Sequence, residues 1–438
     1  MLIFLIVSLI LVLFSFYSFK KTFCFYTAFK MLALSATCIK YTPPALSVET
    51  FLNFFFVFEF VRRGYWGPIL KRFKYFPLKT FYTFSFVSIV LSSICSIIPF
   101  KEFCLSLLLN ILNDFVFAFL FWFFIYDIKD IRFFIKCCVV VFSFACFLGI
   151  YEFIFDINPF TNFLRANVSE DLLLGKIYEP PSRLGMRRVL SLFVSPNNFI
   201  YGAFISILLV AYNKYVKYKN FKWDTLFILL VMLMVLLANS RTVLASSIVI
   251  LLPVFLSFRK NKSLIFLSII IVIIGFPFFE KYAMNFISMI STSETNQVEG
   301  STISGRASQF LGAWNLFLKS PFWGNGIDSI SYFVSDQGGY KWIIYGTESI
   351  WMKLLIEKGI LGIVTYVVLF IELYKRFDFF KYKYLTFCVL GYLAAHTISS
   401  LPGFSVSFFY IVVFCIYRIV IFNKKSYENR NNNFAQNN

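Results

Sequence analysis

The sequence predicts an all-α, polytopic integral membrane protein with about 12–13 transmembrane helices and a large outer loop that contains an amphipathic helix. Three observations carry this prediction. The chain is 59% hydrophobic and only 14% charged, with a mean hydropathy of +0.76, and a soluble domain of that composition has too few polar groups to cover its surface. Apolar runs of about 20 residues, enough to cross a bilayer core, recur along its 438 residues. Between them, Lys and Arg gather in short connections: residues 62–80 hold six bases and no acid, 213–222 four and none, 259–262 three, and 375–383 four against one. A net charge of +19 invites a nucleic-acid reading, but bases confined to short membrane connections are the signature of cytoplasmic loops. Nucleic acid is therefore excluded as a partner, and the lipid bilayer is the expected one.

In chain order, MLIFLIVSLILVLF has no basic leader and no small-residue cleavage site. It reads as a retained spanning helix rather than a signal peptide. Segments 1–19, 22–39 and 44–61 give three spans if the N-terminus lies outside. Lys30, Glu49 and Glu59 burden the last two, so one of them is expected along the interface. Clearer spans follow at 77–98, 103–126, 133–155, 191–212, 223–239, 241–258, 263–279, 348–374, 384–401 and 402–422. The basic connections all fall on one side, which puts 156–190 and 280–347 on the opposite, periplasmic side. The expected organisation is N-terminal transmembrane helices over 1–155, a first periplasmic loop over 156–190 and central transmembrane helices over 191–279. A large periplasmic loop over 280–347, C-terminal transmembrane helices over 348–422 and a disordered cytoplasmic tail over 423–438 complete it.

Those two outer segments are mixed in charge and too long to be simple connections, which is where function concentrates. Within the second, Ala307, Phe310, Leu311, Trp314, Phe317 and Leu318 repeat at helical spacing and form one apolar stripe. Ser304 or Gly305 can cap this helix, Lys319-Ser320-Pro321 ends it, and it is expected at the outer interface with the stripe in lipid. The turn Gly324-Asn325-Gly326 follows, whose amides are expected to approach an anion. Nine Cys form no CxxC pair and there is one His, so no Cys/His zinc site can be assembled. The Cys residues read as small apolar packing groups.

Several outer-side ionisable residues invite a chemical role, each with a plainer alternative. Arg241 sits in a two- or three-residue outer hairpin against the positive-inside bias; it either snorkels to headgroups or faces a substrate phosphate, which a planar guanidinium suits. Arg187 and Arg188 precede a span interrupted by Pro196-Asn197-Asn198 and are either interfacial anchors or phosphate ligands. Arg306 leads the amphipathic helix, solvated or aimed inward. Glu348, at the outer mouth of a span, is either a general base or a helix-start carboxylate favoured by the dipole. Asp328, after the glycine turn, is a second candidate base or a turn former. His396, near the outer end of its span, is a third candidate base or a neutral ring bonded between helices. Trp314, Trp323, Tyr332 and Trp342 either stack on sugar rings or form an aromatic belt.

Four stretches resemble the motifs of the O-antigen polymerase and O-antigen ligase group of membrane proteins: RRVLSLFVSPNNFIYG (Arg187 to Gly202), LLANSRTVLA (Leu236 to Ala245), GRASQFLGAWNLFLKSPFWGNGIDSI (Gly305 to Ile330) and TESIWMKLLIEKGILGIVTYV (Thr347 to Val367). They occur in family order and cover residues 187 to 367; the N-terminal half is similar only in being apolar. The resemblance implies an inverting, metal-independent glycosyltransferase without a cofactor, acting at the periplasmic face of the bacterial inner membrane. Its donor and acceptor would be polyprenyl-diphosphate-linked glycans, undecaprenyl diphosphate the leaving group, and a chain-length regulator protein a further partner. It also implies that Arg188, Arg241 and Arg306 cradle the diphosphate. Two positions depart from the family pattern: Glu348 stands where the ligases place a His, which favours polymerase over ligase, and Ser191 stands where the motif has Gly. The competing expectations are an O-antigen ligase and a flippase for the same lipid-linked sugars. The absence of evident repeats between the halves and the gathering of charge at the outer face rather than the midplane weigh against the flippase.

Overall fold

The computed structural model describes residues 2–32, 38–40, 46–97, 104, 107–167, 187–217, 222–258, 303–334, 349–399 and 405–436. The fold is all-α, as predicted, apart from a ribbon of two short antiparallel strands, Cys38–Lys40 and Leu46–Ser47. The helices are α1 (Leu2–Tyr17), α2 (Phe19–Phe29), α3 (Val48–Arg62), α4 (Trp66–Phe73), α5 (Lys79–Ile94), α6 (Leu107–Phe124), α7 (Ile128–Phe155) and α8 (Pro159–Asn167). After a 3-10 turn at Pro196–Phe199 come α9 (Ile200–Tyr212), α10 (Lys222–Leu237), α11 (Arg241–Phe258), α12 (Ile303–Lys319), α13 (Ser329–Val334), α14 (Ile350–Phe377), α15 (Lys383–Ile398) and α16 (Val406–Gln436).

Five stretches of the described chain are long and apolar enough to cross a membrane: Leu107–Phe124, Ile128–Phe155, Pro196–Val216, Ile350–Phe377 and Val406–Lys424. Shorter apolar helices occupy Phe4–Tyr17, Lys79–Ile94, Asp224–Leu237 and Arg241–Ser257. The expected span 263–279 lies outside the described residues. Two expectations change. The tail, expected to be disordered, continues α16 to Gln436, since it holds no Gly or Pro to stop the helical ladder. Near the N-terminus, neither α2 nor α3 is long enough to span, and the charges that burdened them find each other. Lys30 Nζ lies 3.3 Å from Glu49 Oε1, with both side chains largely buried, and 3.2 Å from the carbonyl of Asn113. Tyr26 donates to Asn53 and Asn53 to Asn113, so a polar knot ties α2 and α3 to α6.

Contacts along the bundle sort the helix ends into two sets. At one end, Glu372 accepts the amides of Thr80 (3.0 Å) and Phe81 (2.8 Å), capping α5 from α14. Arg418 there donates to the carbonyls of Trp122 and Ile125, Lys20 meets Asp130, and Lys383 meets Ser257. The described basic connections all belong to this end. α5 and α14 run antiparallel away from it, and at the far end Ser92 donates to the Glu357 carbonyl while the Ile97 amide reaches Asn325. α11 and α15 are likewise antiparallel: Ser257 meets Tyr384 at the basic end, and Gly391 receives Ile250 so closely that a Cβ there would collide with it.

At the far end α14 is broken. Gly359 has φ 59° and ψ −148°, a conformation essentially reserved for glycine. In an unbroken helix the amides of Ile360 and Leu361 would bond the carbonyls of Ile356 and Glu357. Instead they bond Pro321 (2.9 Å) and Phe322 (3.4 Å), while Ile356 and Glu357 accept from the amides of Asn325 (2.9 Å) and Gly326 (3.1 Å). The turn after α12 is thus inserted into the helix by a backbone exchange. Gly324 and Gly326 have positive φ, and a Cβ on Gly324 would strike the Glu357–Lys358 backbone. The expectation that this turn offers its amides to an anion is therefore corrected: Gly324 donates to Ser320, and Asn325 and Gly326 donate to α14. α12 itself is docked rather than floating. Ala313 and Leu316 are buried beside Ile356, while Phe310, Leu311, Trp314 and Leu318 of the apolar stripe are exposed.

Candidate functional site

The far end of the bundle collects the segments singled out in the sequence. Glu152, fully buried near the end of α7, accepts the amides of Ser191 (2.6 Å) and Leu190 (3.1 Å) and the side-chain amide of Asn158 (2.9 Å). These bonds thread residues 187–193 through the bundle as non-helical chain. Ser191 takes φ 55°, in the left-handed region, which explains why a glycine suits this position. Its hydroxyl bonds the Ala145 carbonyl, and its own carbonyl accepts from Asn158 (2.9 Å). Arg187 is taken up by carboxylates, 2.7 Å from Asp156 and 3.6 Å from Glu152. That makes Arg187 a clamp on the chain. Arg188 is buried at 6% exposure, and the amide of the next residue, Val189, bonds the Leu237 carbonyl (3.3 Å) at the end of α10.

The chain turns just beyond, with Asn239 at φ 44° and Arg241 opening α11. Here Asn197 joins three segments. It accepts from the Ser240 hydroxyl (2.6 Å) and directs its amide at the Ser399 hydroxyl (3.4 Å), just beyond α15. The Pro-Asn-Asn turn, the Ser-Arg hairpin and the outer end of the His396 helix are therefore one unit. His396 is buried against Tyr392, ring centroids 4.3 Å apart, and Tyr392 stacks on Phe409 at 3.8 Å. Trp351 in the first turn of α14 donates to Thr397 (3.1 Å), which brings the start of α14 to the same place.

From that start a charged string leads to Asp328. Lys353 lies 3.9 Å from Glu357, and the Asp328 amide is directed at the buried Glu357 carboxyl. Asp328 has φ 62°, so its turn-forming role is real. Sequence reasoning passed over Glu357 and Lys353 as span residues. The signal was available: a Glu two residues before Gly359, four residues after a Lys, sits where a broken helix leaves polar groups. Glu152, inside the expected span 133–155, is the hub that holds the Arg187–Phe193 segment.

The sequence model of a family described as O-antigen ligase matches residues 226–367. This stretch is similar to the O-antigen ligase family. The match covers about a third of the 438-residue chain, and the matched family is one of glycosyl-transfer enzymes, within the ligase and polymerase group that the motifs resemble. No curated protein and no solved structure matches the chain.

The matched stretch contains Arg241, α12, the backbone exchange, Asp328 and Glu357, whereas Arg187, Arg188 and His396 approach it from outside the matched range. Arg306 lies in the first turn of α12. Glu348 lies outside the described residues; the residue after it, Ser349, caps α14 by accepting the Trp351 amide. Among the described residues no three His, Cys, Asp or Glu side chains are grouped to hold a metal.

Proposed function

We propose that the protein polymerises polyprenyl-diphosphate-linked oligosaccharide repeat units into O-antigen or a related surface polysaccharide, at the periplasmic face of the inner membrane. The observation that supports this reading most is the Asn197 bridge, which holds the segments of Arg188, Arg241 and His396 together at the end of the bundle away from the basic connections. By the positive-inside rule that end faces outward. In the reaction the bond between the donor's anomeric carbon and the diphosphate oxygen breaks, and that carbon bonds the acceptor hydroxyl oxygen with inversion. The bonding pair leaves on the polyprenyl diphosphate, whose developing charge Arg188, Arg241 and Arg306 stabilise without a metal. The hydroxyl proton passes to a base, for which Glu348, His396 and Asp328 are the candidates.

A ligase, which hands finished polymer to another acceptor, is the second reading, favoured by the description of the matched family. A polysaccharide gel from a deletion strain separates them. Single repeat units on the surface mean a lost polymerase, and polymer retained on the lipid carrier means a lost ligase. Absence of surface glycan with intermediates trapped on the cytoplasmic side means a flippase. Complementation with Arg241→Ala or Arg306→Ala should leave single units only; full-length polymer from both variants would refute the phosphate role.

A further inference from the structure

At the opposite end of the bundle, where the basic connections lie, α5, α6, α14 and α16 leave a hollow of about 930 Å³. Its lining carries Lys74, Lys79, Lys375, Arg376 and Arg418, and no acid. The nearby acids are engaged elsewhere: Glu372 with the α5 amides and Asp378 with Lys381 at 3.9 Å. No described carboxylate pairs with any of the five bases. Beneath them lies an aromatic floor, with Phe76 5.2 Å from Trp122 and 5.7 Å from Phe414, and Phe377 4.7 Å from Tyr417. Five like charges around one concavity repel one another, so an anion there is stabilising.

A second hollow of about 290 Å³ adjoins the first, and Thr83 of α5 lines both. Its other walls include Phe86, Ile89, Ile111 and Phe115, with no charged side chain. A soluble phosphate would use only the basic chamber. A basic chamber continued by an apolar one suits a molecule with an anionic head and a hydrocarbon tail.

We propose that this pair of chambers binds an anionic phospholipid, its headgroup phosphate among Lys79, Lys375 and Arg376 and an acyl chain along Phe86, Ile89, Ile111 and Phe115. The site lies apart from the glycosyl-transfer site and does not depend on that assignment.

The test is native mass spectrometry of the full chain, released from nanodiscs of equal parts phosphatidylglycerol and phosphatidylcholine. The wild-type protein should retain phosphatidylglycerol preferentially. The triple variant K79A/K375A/R376A removes three exposed side chains and should lower that preference by about 100-fold without changing the melting temperature. Thr83→Trp, which fills the junction while sparing the charges, should also weaken retention. Equal retention of the two lipids by wild type, or an unchanged preference in the triple variant, overturns the proposal. So does complete displacement of the lipid by millimolar inorganic pyrophosphate, which would make the site one for a soluble anion.

Discussion

Replacing Gly359 with Ala probes the joint between the outer loop and the membrane helices. The φ 59°, ψ −148° conformation costs a residue with a side chain about 1–3 kcal/mol. The added methyl also meets the Pro321 carbonyl and the Gly324 amide, so relief requires the turn to withdraw. Withdrawal breaks four exchanged backbone bonds, worth about 0.5–1.5 kcal/mol each. A regularised helix regains two of them but strands the carbonyls of Pro321 and Phe322 and the amides of Asn325 and Gly326. The expected loss is thus about 1–3 kcal/mol if the turn stays seated, and about 2–6 kcal/mol if it withdraws and all four bonds go unreplaced. The assay is a thermal melt of purified protein paired with limited proteolysis across residues 320–326. A lowered melting temperature with new cleavage in that stretch is expected. An unchanged melt with an unchanged cleavage pattern would show that the exchange does not hold the turn.

Three further perturbations follow from the same contacts. Asn197→Ala removes the link between Ser240 and Ser399 and should cost about 1–3 kcal/mol together with polymer yield; normal surface polysaccharide from this variant would deny the bridge its role. Lys30→Met leaves Glu49 buried beside the polar knot, a change of about 3–5 kcal/mol, much of which Lys30→Met/Glu49→Gln should restore in the same melt. Gly391→Val drives a side chain into Ile250 and should destabilise by about 1–3 kcal/mol, with Ile250→Ala as the rescuing second change; failure of that rescue would locate the damage elsewhere.

The fold class was legible because hydrocarbon-compatible runs and basic connections are properties of composition, which a sequence displays directly. The boundaries of the N-terminal helices were not, because Lys30 and Glu49 look prohibitive singly and acceptable only as a pair. The stripe on α12 shows a second limit. Its spacing predicted the helix, and Phe310, Leu311, Trp314 and Leu318 of the stripe do point away from the protein, but Phe317 turns inward with Ala313 and Leu316, a docking face that the spacing alone did not separate. At the far end of the bundle, the four motifs mark segments that contact one another. Their roles divided only in three dimensions: Asn197 joins segments, Gly324 and Gly326 fit a helix break, and Arg187 serves Glu152 and Asp156. Glu357 was missed because its significance depends on a break that the Lys358-Gly359 pair marks but does not announce.

The discontinuity at Gly359 also sets depth. Only Ile360–Phe377 continues as straight helix, rising about 27 Å at 1.5 Å per residue, close to the thickness of a hydrocarbon slab. Its antiparallel neighbour α5, with 16 residues, rises about 24 Å. The preceding turns, with Trp351, Lys353 and Glu357, lie beyond that slab-length stretch, on the far side of the break.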